Sequence, residues 1–84
     1  MRSRHGTELP ADLARVLLTD PTARADFEAW APGFQRDAVA AIVHARAPRE
    51  RKERIHDQLR RARRWREIQA QAGSHPELAA QSRR

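Results

Sequence analysis

The stretch LPADLARVLLTDPTARADFEAW, residues 9–30, decides the fold because it encodes two short helices that a proline separates. Its first apolar residues recur at the i, i+4, i+7 and i+8 spacing of one helical face. They are Leu9, Leu13, Val16 and Leu17. Pro10 falls in the first turn, where a missing N–H costs nothing. The pattern therefore predicts a first helix over about residues 10–19.

A second helix is predicted directly after the first, over about residues 21–30. Asp20 is a typical N-cap residue, and Pro21 suits the first helical position. The i, i+4, i+7 spacing is repeated by Ala23, Phe27 and Trp30. Pro32 and Gly33 then interrupt the pattern and end the helix.

Two further helices are predicted on either side of Pro48. The helix before it, over about residues 33–47, has an apolar stripe of Phe34, Ala38, Ile42 and Ala45, widened by Val39 and Val43. The helix after it, over about residues 49–72, carries on one face Ile55, Leu59 and Ala62. Gly73 is a natural residue to end this fourth helix.

These elements predict an all-α fold, a compact bundle of three short helices plus one long C-terminal helix. We expect a disordered basic N-terminus at residues 1–7, a single helical domain at 8–72 and a flexible tail at 73–84. The predicted core consists of Leu13, Leu17, Phe27, Trp30, Phe34, Ile42, Ile55 and Leu59.

The charge of the chain is unevenly distributed. The net charge is +6, but residues 1–48 hold equal numbers of basic and acidic side chains, so the excess lies in residues 49–84. Cysteine is absent, which excludes disulfides and thiolate ligands. The basic start is followed by an apolar stretch that Pro10, Asp12 and Arg15 break, unlike a signal peptide, and no apolar run is long enough for a membrane span. We therefore expect a soluble, cytoplasmic bacterial protein.

A set of residues spread over about residues 8–62 carries a family resemblance. The set comprises the run LPADL at residues 9–13, Asp20 and Pro21 before Phe27, Ile42, Ala45, Arg51, and the pair Arg54 and Ile55. In these positions the chain resembles the bacteriocin-protection, YdeI or OmpD-associated family. The sequence departs from the family pattern at Ala38 and Ala41, where we expect tyrosine and tryptophan, at Arg46, where lysine would stand, and at Glu50, in place of threonine.

The resemblance implies a compact helical domain with a role in tolerance of bacteriocins or cationic antimicrobial peptides. The leading hypothesis is therefore a small, non-enzymatic accessory or interaction domain that acts through a protein partner.

Catalytic or metal-binding chemistry is not indicated by the sequence. Glu53 and His56 have the i, i+3 spacing of a ligand pair, but they stand on a charged face, where a solvated pair is the commoner outcome. Ser74 and His75 are adjacent in sequence, which does not build a nucleophile and its base. We expect no catalytic residue, no metal site and no cofactor.

Arg51 and Arg54 form the first candidate site because they stand at i, i+3 on one side of the fourth helix. Two guanidinium groups at this spacing can bind an anion or a partner. The structural alternative, which we favour, is that they bind acids of the first two helices or carbonyls that end a neighbouring helix.

The second candidate site is the basic run of the fourth helix. The residues that could contact nucleic acid or a partner are Arg60, Arg61, Arg63, Arg64 and Trp65. The basic residues point in all directions around the helix, and acids stand at i, i+4 from some of them, as Glu50 does from Arg54 and Asp57 from Arg61. We therefore favour a solvated helix, and weak, non-specific nucleic-acid binding through the basic fourth helix is the alternative function. A membrane surface is disfavoured, because too few large apolar residues stand opposite the charges.

Overall fold

The four helices of the computed structural model follow one another with short connections. The structure describes residues 1–74, with side chains through Ala72. The helices are α1 (Ala11–Thr19), α2 (Pro21–Ala29), α3 (Pro32–His44) and α4 (Pro48–Ser74). Within the described residues no strand forms, and the β-type pairing is limited to an isolated bridge between Arg2 and Glu8. The predicted all-α fold, with three short helices and one long one, is confirmed.

The boundary between α1 and α2 is fixed by Asp20, as predicted. Its side chain accepts a hydrogen bond from the Ala23 N–H at 3.1 Å, and Pro21 takes the first helical position. The backbone N–H of Asp20 in turn donates to the Val16 carbonyl, which closes α1. One residue therefore ends one helix and begins the next, so α1 and α2 have no loop between them.

The core lies where α4 packs against α2 and α3, with its more extensive contact on α2, which in turn packs against α1. Leu13, Leu17, Phe27 and Ile42 are each 1% exposed or less. Further core residues are Leu9, Ala14, Trp30, Ala38, Ile55 and Ala62. Leu59, predicted to belong to the core, is only partly buried at its edge. The predicted stripes of α1 and α2 are thus on the inner face.

The prediction that Phe34 is a core residue is wrong, because its side chain is 48% exposed. The neighbouring Gln35 lies inside instead, and its exposed fraction is 0%. The Gln35 Nε2 donates to the carbonyls of Phe27 at 2.8 Å and Trp30 at 3.0 Å. These carbonyls lie at the end of α2, and that of Phe27 also accepts the Trp30 N–H. The amide is therefore held inside by hydrogen bonding that phenylalanine could not provide.

The last turns of α4 extend beyond the body of the fold. Ala62 is fully buried and Trp65 packs partly against the core, but residues 66–72 are exposed. α4 continues through Gly73 to Ser74, two residues further than predicted. Of the predicted flexible tail, residues 73–84, the segment 75–84 lies outside the described residues. No helix in the described part of the chain has the length and apolar character needed to cross a membrane.

The first eight residues form a turn that folds back onto the start of α1. The Leu9 N–H donates to the Met1 carbonyl at 2.9 Å, and the Ser3 side chain is buried. The Arg4 backbone N–H donates to the Glu28 carboxylate on α2 at 2.8 Å. These hydrogen bonds connect residues 1–7 to the start of α1 and to α2. The sequence contained no pattern that indicated these contacts.

Candidate functional site

Arg51 joins three elements of the fold near the start of α4. Its Nε and Nη2 donate to the two carboxylate oxygens of Asp12 on α1, at 2.8 and 3.1 Å. Its Nη1 reaches the carbonyls of Ile42 and Ala45 at the end of α3, both at 3.4 Å. A guanidinium group suits this place because its donors spread in one plane and can serve several acceptors at once.

The paired charges change the acidity of both groups. The hydrogen bond from Arg51 lowers the pKa of Asp12 below its ordinary value, against the opposing effect of partial burial. The Leu13 N–H, which donates to the same carboxylate at 3.0 Å, lowers it further. The hydrogen bond to Asp12 also raises the pKa of Arg51. The two side chains are therefore a charged, bidentate pair at neutral pH.

Arg54 lies one turn further along α4 and closes the same helix end. Its Nη1 donates to the Ala41 carbonyl at 2.7 Å, and its Nη2 contacts the Glu50 carboxylate at 2.8 Å. Cations near a helix C-terminus also interact favourably with the helix dipole. The favoured expectation for Arg51 and Arg54 is thus confirmed, because both bind carboxylates and helix-end carbonyls of this chain.

Gln35 and the two arginines form a set of helix-closing side chains, of which sequence reasoning missed Gln35. Gln35 donates hydrogen bonds to carbonyls at the end of α2, whereas Arg51 and Arg54 donate to carbonyls at the end of α3. The available signal was the spacing of Gln35, Ala38 and Ile42, which follows the buried face of α3 better than a stripe that begins at Phe34. These polar groups hold the helices together and leave little capacity for an external ligand.

The basic run of α4 is exposed and partly neutralised by neighbouring acids. Asp57 lies 3.7 Å from Arg60 and 3.3 Å from Arg61, and Glu67 lies 3.3 Å from Arg63. Arg64 has no carboxylate partner among the described residues. The structure therefore does not assemble these arginines into a single charged stripe.

Trp65 and the exposed Arg66 both contact the body of the fold. Trp65 lies against the core cluster and is partly buried. The Arg66 Nη1 donates to the Asp26 carboxylate on α2 at 3.1 Å, and that carboxylate is 7% exposed. The ion pair of Arg66 and Asp26 therefore connects α4 to α2.

An open groove runs between α1 and α4 and has a volume of about 620 Å³. Its apolar wall consists of Val16, Pro48, Ile55 and Leu59. Its rim carries charged and polar side chains, namely Asp12, Arg15, Arg51, Lys52 and His56. Val16, His56 and Leu59 also border a smaller hollow of about 280 Å³ that continues toward Arg63. The two hollows together form one surface, which we call the α1–α4 groove.

A further exposed apolar surface surrounds Phe34. The rings of Phe34 and Trp30 stack with their centroids 5.6 Å apart, next to Ala41 and Arg61. This contact explains how Phe34 remains ordered against the body although half of its surface is exposed.

The described residues do not assemble a metal site. They contain no group of three or more His, Cys, Asp or Glu side chains that could hold a metal ion. Glu53, the candidate ligand next to His56, instead lies 3.6 Å from Arg49.

Comparison with protein-family models shows which family this chain belongs to. A family described as bacteriocin-protection, YdeI or OmpD-associated matches residues 7–65. The chain belongs to this family. Comparison with curated proteins gave no match, and comparison with solved structures gave none either.

The family match coincides with the packed part of the fold. It begins before α1 and ends at Trp65, the last core-packing residue of α4. The bidentate pair of Asp12 and Arg51 and most of the α1–α4 groove thus lie inside the segment that the family defines.

Proposed function

We propose that this chain is a non-enzymatic protein-interaction domain that contributes to bacteriocin tolerance through a protein partner. The tolerance role rests on the description of its family. The interaction role rests on one observation in particular. Gln35, Arg51 and Arg54 are used to close helices, while the α1–α4 groove remains open on the surface.

A partner is a better target than the bacteriocin or cationic peptide itself. The chain has a net charge of +6, and its excess of basic residues lies in the half that includes α4. Like charges repel over distances of about 8 to 10 Å at physiological salt, so a cationic peptide would be disfavoured at this surface. The domain therefore acts on an acidic or neutral component of the cell, and tolerance follows indirectly.

The proposal is tested by deleting the gene in its native host and measuring survival during exposure to a cationic bacteriocin. We expect lower survival in the deletion strain and recovery when the wild-type gene is restored. Survival that is unchanged at every bacteriocin concentration would contradict the tolerance role.

The non-enzymatic part of the proposal has its own test. Glu53→Gln removes the carboxylate that stands beside His56 at ligand-like spacing, at a side chain that is 69% exposed. We expect the variant to restore survival as well as wild type. A variant that is folded by circular dichroism but fails to restore survival would indicate that this carboxylate performs chemistry.

A further inference from the structure

The α1–α4 groove combines an apolar floor with an unneutralised basic rim. The floor contains the nearly buried Ile55 and the partly buried Val16 and Leu59. On the rim, Arg15 and Lys52 are exposed and form no ion pair with the described residues. This combination differs from the rest of α4, where most arginines have an acid within 4 Å.

Two of the three acids near the groove do not cancel this charge, because arginines bind them. Asp12 is bound by Arg51 through two hydrogen bonds, and Asp26 is bound by Arg66. Asp20 caps α2 and forms no ion pair with the described residues, but it lines only the smaller hollow, whereas Arg15 and Lys52 line the larger one. An incoming segment would therefore meet apolar carbon at the centre of the groove and free positive charge at its edge.

The shape of the groove favours a helix over a small molecule. Along α4 its lining runs from Pro48 to Arg63, which corresponds to about 22 Å at the helical rise. Because Lys52, His56 and Arg63 are exposed, a small ligand in the open α1–α4 groove would remain largely exposed to solvent. A helix of about fifteen residues would cover the full length, as in other helix-in-groove complexes.

We propose that the α1–α4 groove binds an acidic amphipathic helix of a partner protein, with aliphatic side chains on Val16, Ile55 and Leu59 and carboxylates beside Arg15 and Lys52. This inference rests on the proposed interaction function and specifies its partner. A second copy of the chain fits less well, because it would bring another basic α4 to a basic rim.

The test is a binding titration with a synthetic helical peptide of about fifteen residues, with leucines at i, i+3 and i+4 spacing and glutamates flanking them. We expect binding whose amide NMR shifts concentrate at Val16, Lys52 and Leu59. The double variant Arg15→Gln with Lys52→Gln should weaken binding about fivefold or more.

The matched control is Arg46→Gln with Arg64→Gln, which removes the same charge from exposed positions outside the groove. We expect it to weaken binding by no more than about twofold to threefold, which is the size of a general charge effect. Equal weakening in both double variants would overturn the groove assignment, and so would NMR shifts centred on Phe34.

Two further ligands, a serine peptide and a nucleic-acid duplex, test the chemistry of the occupant. A peptide with serine in place of leucine should bind at least about tenfold more weakly, because it cannot cover the apolar floor. If it binds equally well, attraction to a basic surface explains the result and the proposal fails. If duplex RNA or DNA binds the groove more tightly than the leucine peptide, a nucleic-acid partner replaces the protein helix.

The survival assay distinguishes this inference from the proposed function. If wild type and the Arg15 and Lys52 double variant both restore survival to the deletion strain, the tolerance role stands and the groove assignment is wrong. A deletion without any effect on survival would reject the tolerance role, whatever the peptides show.

Discussion

Arg51 and Asp12 connect α4 to α1 by the only bidentate ion pair among the described residues, and the pair has a defined pH dependence. The pKa of Asp12 is lowered in the folded state. Its carboxylate therefore stabilises the fold above the pKa that it has in the unfolded chain. That stabilisation is lost as the pH falls from this ordinary value through the lower, folded-state pKa.

Asp12→Asn should accordingly lower the melting temperature at neutral pH, and its difference from wild type should shrink toward zero in strong acid. Thermal unfolding followed by circular dichroism across the acid range measures this. Asp37→Asn is the control, because Asp37 is exposed on α3 and forms no ion pair with the described residues. A constant difference between Asp12→Asn and wild type at every pH would show that the effect does not come from the carboxylate charge.

The two phenylalanines give a second prediction, because they occupy opposite environments. Phe27 is 1% exposed, and Phe27→Ala should cost roughly 3 to 5 kcal/mol of unfolding free energy through lost burial and the cavity left behind. Phe34 is half exposed and stacks on Trp30, so Phe34→Ala should cost about 1 kcal/mol. Urea denaturation of both variants measures the difference. Similar losses for the two would contradict the observed placement of the rings.

Among the helices, α1 and α2 were predictable because their signals are local. The N-cap at Asp20 and the proline after it fix a boundary within a few residues, and apolar spacing gives the buried face. α3 was less predictable, because its register depends on hydrogen bonds to carbonyls at the end of α2. Sequence periodicity favoured the aromatic Phe34, whereas hydrogen bonding to a neighbouring helix places the polar Gln35 inside.

The candidate site was predictable only in part, for a similar reason. Local spacing correctly paired Glu50 with Arg54 and Asp57 with Arg61, since i, i+4 neighbours meet on any helix. The contact between Arg51 and Asp12 joins residues far apart in the chain, so the sequence could offer it only as one of several possible partners. The α1–α4 groove had no sequence signal at all, because it depends on how far apart two helices pack.

The basic helix α4 carries the third prediction, which concerns nucleic acid. Its arginines are exposed, but Asp57 and Glu67 neutralise part of their charge. Binding to duplex DNA or RNA should therefore be weak, with a dissociation constant of about 10⁻⁴ to 10⁻⁶ M or higher at physiological salt, and indifferent to sequence.

Fluorescence anisotropy over a salt series measures this affinity. Replacement of Arg60, Arg61, Arg63 and Arg64 by Gln should abolish most of it, because the attraction arises from released counterions. Submicromolar binding at physiological salt with a preference for one sequence or RNA shape would instead favour nucleic-acid recognition over the proposed protein partner.

The molecule as a whole is a small domain whose stability depends on how far α4 continues across α2. A chain of this length has about 4 to 12 kcal/mol of unfolding free energy, so one turn of packing is a large share. The turn in question contains the fully buried Ala62, the partly buried Trp65 and the Arg66 that binds the Asp26 carboxylate. The family match ends at residue 65 and so includes Ala62 and Trp65 of this turn but not Arg66.

Two shortened chains test the contribution of this turn. Both lack everything after residue 66, and they differ only in residues 62–66. The chain of residues 1–66 keeps Ala62, Trp65 and Arg66 and should unfold cooperatively on heating. The chain of residues 1–61 loses these contacts and leaves the Asp26 carboxylate buried without its partner, at a combined cost of roughly 3 kcal/mol or more. We therefore expect it to lose its cooperative transition and much of its helical signal in circular dichroism. Equal melting temperatures for the two chains would mean that α1, α2 and α3 hold together without this turn of α4.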